Sequence, residues 1–193
     1  MEKTSQIIYK SCISKKELIG ILNLQKNNHF SAITREQSET EGFLTCIHNV
    51  DLLEKWNEST PHIIAIKDDT ILGYLLAMTS EASEDMPILR SMFQMFHEVE
   101  YQGKSISSYN YVVVGQVCIA KEYRGQGLLY KLYQLYLECY KNKFDFAITE
   151  IAVRNKRSLE AHLNNGFQEI FQYRDSDGEE WRIVIWDWNK KIG

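Results

Sequence analysis

The sequence predicts a mixed α/β (α+β) fold, built as a single domain over residues 1–193 around a central, mostly antiparallel sheet of about seven strands flanked by helices. Two observations predict this fold. The chain has 193 residues, of which 44% are hydrophobic, and this is enough for one well-buried core. Segments with the two-residue period of strands also alternate along the chain with segments of helical period.

The spacing of apolar residues in the first half of the chain predicts a strand, two helices and a β-hairpin. Residues 6–12 alternate between apolar and polar side chains, as a short strand does. A helix is predicted from Ser14 onward and a second helix over residues 43–57, because apolar side chains recur there at helical spacing. Residues 62–79 contain two apolar runs separated by a polar tetrapeptide, which indicates a hairpin.

The second half predicts further helices and the remaining strands. A helix is expected over residues 86–101, and a long β-rich run at 109–120 is the fourth predicted strand. A long amphipathic helix follows that strand, and residues 144–153 form another buried strand. After a short helix, a closing hairpin is predicted over residues 167–189, with its turn at an Asp-Gly pair.

Composition argues against several classes of function. The net charge of −4 gives no sign of the broad basic surface that nucleic acid requires, so we expect no nucleic-acid partner. The four cysteines form no C-x-x-C pair and the five histidines no H-E-x-x-H pattern, so no metal site is indicated. No apolar run reaches the roughly 20 residues of a membrane-spanning helix, and the first residues do not resemble a secretory signal. We therefore expect no membrane partner and a cytoplasmic location.

The peptide Arg-Gly-Gln-Gly at residues 124–127 lies between the fourth predicted strand and a predicted helix. Phosphate binding at a helix start needs unpaired backbone N–H groups, small residues beside them and a favourable helix dipole, and this peptide offers all three. The alternative is that Gly125 and Gly127 merely allow a sharp turn. The peptide alone does not decide between these interpretations, and neither G-K-[ST] nor G-x-G-x-x-G is present.

Two motifs in sequence order favour the phosphate interpretation. QVCIAKEYRGQGL at residues 116–128 and NKRSLEAHLNNGF at residues 155–167 lie about thirty residues apart with a predicted strand between them. Together they resemble the Gcn5-related N-acetyltransferase (GNAT) family, whose members move an acyl group from acyl-CoA to an amine. The resemblance implies a GNAT-like acyltransferase domain with acetyl-CoA or another acyl-CoA as co-substrate and no metal. Against the family pattern, the segment at about 80–108 is a helical insertion.

The resemblance also assigns the CoA-binding residues. The loop that would bind the pyrophosphate comprises Arg124, Gly125, Gln126, Gly127, Leu128 and Leu129, and Leu129 stands where the family has glycine or alanine. The strand residues that would offer main-chain groups to the pantetheine arm and the thioester are Val117, Cys118 and Ile119. Asn155 and Ser158 match the second motif, although the simple role of a helix N-cap explains Asn155 nearly as well.

Two catalytic residues are predicted. His162 occupies the position where the family often has a tyrosine that protonates the leaving thiolate, which implies the role of general acid. A lone helix histidine is also commonly a packing residue. Glu150 on the neighbouring strand is the best candidate for the general base, with an ordinary strand carboxylate as the alternative.

The resulting hypothesis is an N-acetyltransferase acting on a primary amine of a small molecule or peptide by direct attack on the thioester. A non-catalytic acyl-CoA-binding or regulatory module on the same fold is the second hypothesis. A third is covalent catalysis by Cys118 together with His162. The tryptophans of the closing hairpin also suggest a homodimer, with ordinary core packing as the alternative.

Overall fold

The structure is a computed structural model that describes residues 6–29, 44 and 46–189. The helices and strands run in the order β1 (Ile8–Ser11), α1 (Lys15–Asn28), α2 (Val50–Ser59), β2 (Ile63–Lys67), β3 (Thr70–Met78), α3 (Ala82–Asp85), α4 (Arg90–Glu98), β4 (Glu100–Tyr101), β5 (Lys104–Ser105), β6 (Tyr111–Ile119), α5 (Leu128–Tyr140), β7 (Phe146–Ala152), α6 (Lys156–Leu163), β8 (Gln168–Arg174) and β9 (Glu180–Asp187). This alternation confirms the predicted mixed α/β fold.

Seven of the strands form one sheet in the order β1-β2-β3-β6-β7-β9-β8. The pairs β1–β2, β2–β3, β7–β9 and β8–β9 are antiparallel, whereas β6 and β7 are parallel. The strand number and the mostly antiparallel pairing confirm the prediction. Among the described residues, no helix is long and apolar enough to cross a membrane.

The chain forms two compact units. Within the described residues, the first unit comprises 6–29, 44, 46–77 and 115–139. Its helix α1 begins with a capping box, in which Ser14 and Glu17 satisfy each other's backbone N–H groups. A Cβ on Gly20 would lie 2.5 Å from Ile71 Cγ1, so glycine lets α1 pack directly on β3.

The second unit comprises described residues 78–114 and 140–189 and contains the predicted insertion segment. Its predicted helix is confirmed as α4, whose Phe96 ring meets Tyr111 at the start of β6 with centroids 5.6 Å apart. The short β4–β5 hairpin was not predicted, because two-residue strands leave no periodic signal. Tyr101 of this hairpin donates a hydrogen bond to Asp187 at 2.8 Å. The segment therefore packs on the beginning of β6 and the end of β9.

Two predicted helices begin later than expected. In place of a start at residue 43, α2 begins at Val50, because the Asn49 side chain accepts a hydrogen bond from the Leu52 N–H at 2.8 Å and caps the helix. Phe43 and Thr45 lie outside the described residues. Helix α4 begins at Arg90 after a 3₁₀ turn that opens with Pro87.

Candidate active site

The glycine loop connects β6 to α5 in the first unit. After a 3₁₀ turn at Lys121–Tyr123, Gly125 and Gly127 adopt positive φ angles of 73° and 77°. Residues with a Cβ rarely adopt these angles, so the turn itself requires glycine. A Cβ at either position would meet nothing within 4 Å. The space beside both glycines is therefore open, as the close approach of an anion requires.

The backbone amides of the loop are also suited to bind an anion. The N–H groups at the start of a helix have no acceptor within the helix, and residues 125–127 beside this helix start are exposed. The first regular bond of α5 runs from the Lys131 N–H to the Gly127 carbonyl at 3.2 Å. Consecutive open amides at the positive end of a helix dipole are suited to hold a phosphate group. The residues present thus fit the pyrophosphate of CoA.

Arg124 fixes the loop from one side. Its guanidinium donates to the Ile119 carbonyl at 3.0 Å and to Asn28 Oδ1 at 2.6 Å. These bonds tie the loop to the end of β6 and to the last turn of α1. On the other side, Leu128 is buried and Leu129 is half-buried. The loop is therefore held by its first side chain and by the start of α5, with exposed residues 125–127 between them.

The end of β6 presents its backbone in two directions. The Ala120 N–H donates to the Leu72 carbonyl of β3 at 2.8 Å. Because successive backbone groups of a strand point to opposite sides, those of Cys118 face β3 as well, and those of Val117 and Ile119 face away from it. A Cβ on Gly73 would lie 3.2 Å from the Cys118 oxygen, which agrees with this assignment. Val117 and Ile119 are therefore the better candidates for main-chain contacts to a pantetheine arm.

Cys118 has the properties of a core residue. Its side chain is buried, and burial raises the pKa of its thiol to about 12. The nucleophile in thiol catalysis is the thiolate, which a pKa of about 12 makes scarce at neutral pH. The environment of Cys118 therefore argues against a thiol acyl-enzyme.

His162 lies in the second unit and is held as a neutral imidazole. Its Nδ1 is 2.7 Å from the Ser158 carbonyl oxygen, and since a carbonyl only accepts, Nδ1 carries the proton. Burial lowers the pKa of His162 to about 4. Asn155 caps the same helix, because its side-chain oxygen accepts from the Ser158 N–H at 3.4 Å. Hydrogen bonds thus connect Asn155, the N-cap of α6, to Ser158 in its first turn and Ser158 to His162 in its second.

Glu150 on β7 has a pKa in the neutral range. Burial raises the pKa of its carboxyl to about 7, and the hydrogen bond that Tyr173 Oη donates to Glu150 Oε2 opposes this increase. A carboxyl with a pKa near 7 is suited to act as a general base at neutral pH. The sequence pointed to Glu150 but not to Tyr173, because Tyr173 lies on β8 and its contact with Glu150 depends on the pairing of three strands.

Within the described ranges, no group of three or more His, Cys, Asp or Glu side chains could hold a metal ion.

The family is shown by comparison with known sequences. A sequence model of the acetyltransferase (GNAT) family matches residues 30–167. The chain therefore belongs to the GNAT acetyltransferase family. No curated protein sequence matches the chain significantly.

Solved structures share the fold at low sequence identity. A chain of the NatC complex bound to Gag peptide and CoA is 13% identical, with a TM-score of 0.63 and coverage of 94% of this chain and 98% of that chain. The ribosomal-protein-S18-alanine N-acetyltransferase from Escherichia coli is 11% identical, with a TM-score of 0.61 and 96% coverage of both chains. The yncA protein from Salmonella typhimurium, with its cofactor acetyl-CoA, is 14% identical, with a TM-score of 0.58 and coverage of 97% and 96%.

Proposed function

We propose that this protein is an acyl-CoA-dependent N-acyltransferase that transfers the acetyl group of acetyl-CoA to a primary amine. The observation that carries the proposal is the exposed glycine turn at the start of α5, where Gly125 and Gly127 have positive φ angles and open space beside them. In the proposal, the amides of Gln126, Gly127, Leu128 and Leu129 bind the pyrophosphate. Arg124 keeps the loop in shape through its bonds to Ile119 and Asn28.

The end of β6 would orient the thioester. Its groups that face away from β3, those of Val117 and the N–H of Ile119, would offer main-chain contacts to the pantetheine arm, since the Ile119 carbonyl already accepts from Arg124. A backbone N–H directed at the thioester carbonyl stabilises the oxyanion that forms when the amine attacks. Asn155 and Ser158, at the start of α6, are the further residues that the family resemblance assigns to the cofactor.

Glu150 would act as the general base. An amine attacks only in its neutral form, so the ammonium must first lose a proton, and Glu150 with a pKa near 7 accepts it. The neutral amine then forms the C–N bond through a tetrahedral intermediate. The C–S bond breaks as that intermediate collapses, and the CoA thiolate leaves and takes up the proton that the attacking nitrogen loses.

The acid role of His162 stays a prediction. With a pKa of about 4, only about one His162 in a thousand carries the second proton at pH 7. The thiolate would therefore be protonated by His162 only through this rare form, and replacing His162 with glutamine tests the role directly. Loss of kcat at unchanged acetyl-CoA affinity would support it, whereas an unchanged kcat would contradict it.

The acceptor is proposed by analogy with the solved relatives. The NatC complex was solved with Gag peptide, and the Escherichia coli enzyme is named for an alanine of a ribosomal protein. We accordingly propose a peptide N-terminus or a small primary amine as acceptor, in the cytoplasm. A homodimer through the closing hairpin and a single domain over residues 1–193 complete the proposal.

Two measurements test this function. Isothermal titration with acetyl-CoA should show binding, and no heat at millimolar acetyl-CoA would overturn the proposal. CoA release should then be measured with an amine panel of alanine- and methionine-initiated peptides, free amino acids and spermidine. Binding without CoA release from any of these amines would favour the non-catalytic acyl-CoA-binding module. Release that depends on one class of amine would identify the acceptor.

A further inference from the structure

A hydrogen bond in the second unit spans a whole strand of the sheet. Glu150 of β7 pairs with Ile183 of β9, and Tyr173 of β8 pairs with Trp181 of the same strand. Residues two apart on a strand face the same side of the sheet. Glu150 and Tyr173 therefore lie on one face, with β9 between their strands, and the Tyr173 hydroxyl reaches over β9 to donate to Glu150 Oε2.

Tyr173 is a donor at every pH at which the enzyme would work. Burial and the neighbouring carboxylate raise the pKa of Tyr173 far above its ordinary value, so the hydroxyl keeps its proton. Its bond favours the ionised form of Glu150, because a hydrogen bond to a carboxylate stabilises the charge. No other described residue acts on the charge of Glu150 in this direction.

The opposing influences are burial and Asp175. Asp175 follows β8, and hydrogen bonds from the Trp181 indole and from neighbouring backbone N–H groups lower the pKa of its carboxyl and keep it charged. This negative charge raises the pKa of Glu150, as burial does. Tyr173 and Asp175 are the titratable groups that act on Glu150 among the described residues. Tyr173 therefore opposes burial and the charge of Asp175, and the pKa of Glu150 stays above its ordinary value.

We propose that Tyr173 is a positioning residue for amine acylation, which holds the Glu150 carboxyl in place and stabilises its ionised form. This inference rests on the proposed function, in which Glu150 is the general base. Tyr173 acts through Glu150 and takes no part in bond formation. Tyr173 matches no position of the two motifs, so only the pairing of β7, β8 and β9 brings it to Glu150.

A titration of Glu150 tests the coupling without any activity. The pKa of Glu150 can be measured by ¹³C NMR of protein labelled at the glutamate carboxyl carbon, with Glu150→Gln used to assign the signal. Tyr173→Phe removes only the hydroxyl and should raise this pKa by about one unit, as expected for one lost hydrogen bond to a charged group. An unchanged pKa would overturn the inference.

Kinetics give the second test. The acid limb of the pH profile of kcat/KM should move up by the same unit in Tyr173→Phe, so that kcat/KM at pH 7 falls about fivefold and recovers above about pH 9. The kinetic probes are acetyl-CoA and the most active amine of the panel. A loss of the same size at every pH would show a merely structural role and would overturn the inference. Acetyl-CoA affinity should not change.

The matched control is Tyr109→Phe. Tyr109 lies in the same unit and also donates one hydrogen bond, to the Tyr101 carbonyl at 2.7 Å. Its removal should leave both the Glu150 pKa and the pH profile as they are, and a shift equal to that of Tyr173→Phe would overturn the inference. If no amine is acylated by the unmodified protein, the proposed function fails. The NMR titration then still decides whether Tyr173 controls the ionisation of Glu150.

Discussion

The pyrophosphate loop and the Glu150–Tyr173 pair carry their chemistry in opposite ways. The loop, residues 124–129, uses backbone N–H groups that depend on two glycines at positive φ and on open space. The pair uses side chains whose charge depends on burial and on neighbours from other strands. A binding site made of backbone is therefore encoded within six consecutive residues. A titrating site is encoded only by the whole packing around it.

The most severe way to break the loop is a negative charge at its centre. Gly127→Glu should weaken acetyl-CoA binding about a thousandfold, since two like charges about 4 Å apart near a surface repel by about 4 kcal/mol. The titration of acetyl-CoA into the variant measures this directly.

Gly103→Glu is the control for this change. Gly103 has a φ of 78° and nothing within 4 Å of a Cβ, so it suffers the same backbone strain in a different turn. Its acetyl-CoA affinity should equal that of the unmodified protein. Equal losses in the two variants would show that strain, and not phosphate repulsion, caused the effect.

The corresponding change in the Glu150–Tyr173 pair removes the proposed general base and leaves the acetyl-CoA-binding loop intact. Glu150→Gln should lower kcat/KM about a hundredfold and leave acetyl-CoA binding unchanged. Glu160→Gln, at an exposed position of α6, is the matched control and should retain activity. Full activity of Glu150→Gln would remove Glu150 from the mechanism.

The same variant should gain stability at high pH. Burial raises the pKa of Glu150 from 4.5 to about 7 in the folded state, so ionisation of this carboxyl lowers stability progressively between about pH 4.5 and 7, and the cost is complete above about pH 7. Glutamine cannot ionise, so the stability of the variant relative to the unmodified protein should be about 3 kcal/mol more favourable at pH 8 than at pH 4. Urea denaturation at both pH values measures the difference.

The contrast also explains which features of the fold and the site could be predicted from the sequence. The strands of the seven-stranded sheet, the hairpins predicted at 62–79 and 167–189, and α5 follow from apolar periodicity and turn residues, which act locally. The glycine loop was likewise recognisable, because Gly125 and Gly127 are needed where they stand in the chain. The partner of Glu150 could not be recognised from the sequence, because its contact joins strands that are distant in the chain. The neutral state of His162 could not be recognised either, because it depends on burial.

The pH dependence of stability extends the comparison to His162. Its buried imidazole lowers stability as the pH falls, whereas Glu150 lowers stability as the pH rises. The pKa of His162 is lowered from 6.5 to about 4 in the folded state, so the unfolded chain takes up its proton first as the pH falls. The stability that this residue contributes is present above pH 6.5 and is lost between 6.5 and 4, at about 1.4 kcal/mol per pH unit. Between pH 6.5 and 5, the unmodified protein should therefore lose about 2 kcal/mol more than His162→Gln.

Urea denaturation over this pH range is the measurement for His162. The control is His97→Gln, since the His97 side chain is exposed on α4. Its pH dependence should match that of the unmodified protein. If the curve of His162→Gln also runs parallel to the unmodified one, His162 is not held neutral by the fold.

The smallest expected effect separates the two roles predicted for Asn155. Asn155→Ala should lower the free energy of unfolding by about 1 kcal/mol, because the Ser158 N–H loses its cap. Asn155→Asp keeps the accepting oxygen and should restore stability. It also replaces an amide with a negative charge, so if Asn155 helps to hold the cofactor, acetyl-CoA affinity should fall about tenfold in the stable Asp variant. An unchanged affinity in that variant would reduce Asn155 to a helix cap and leave cofactor binding to the glycine loop and β6.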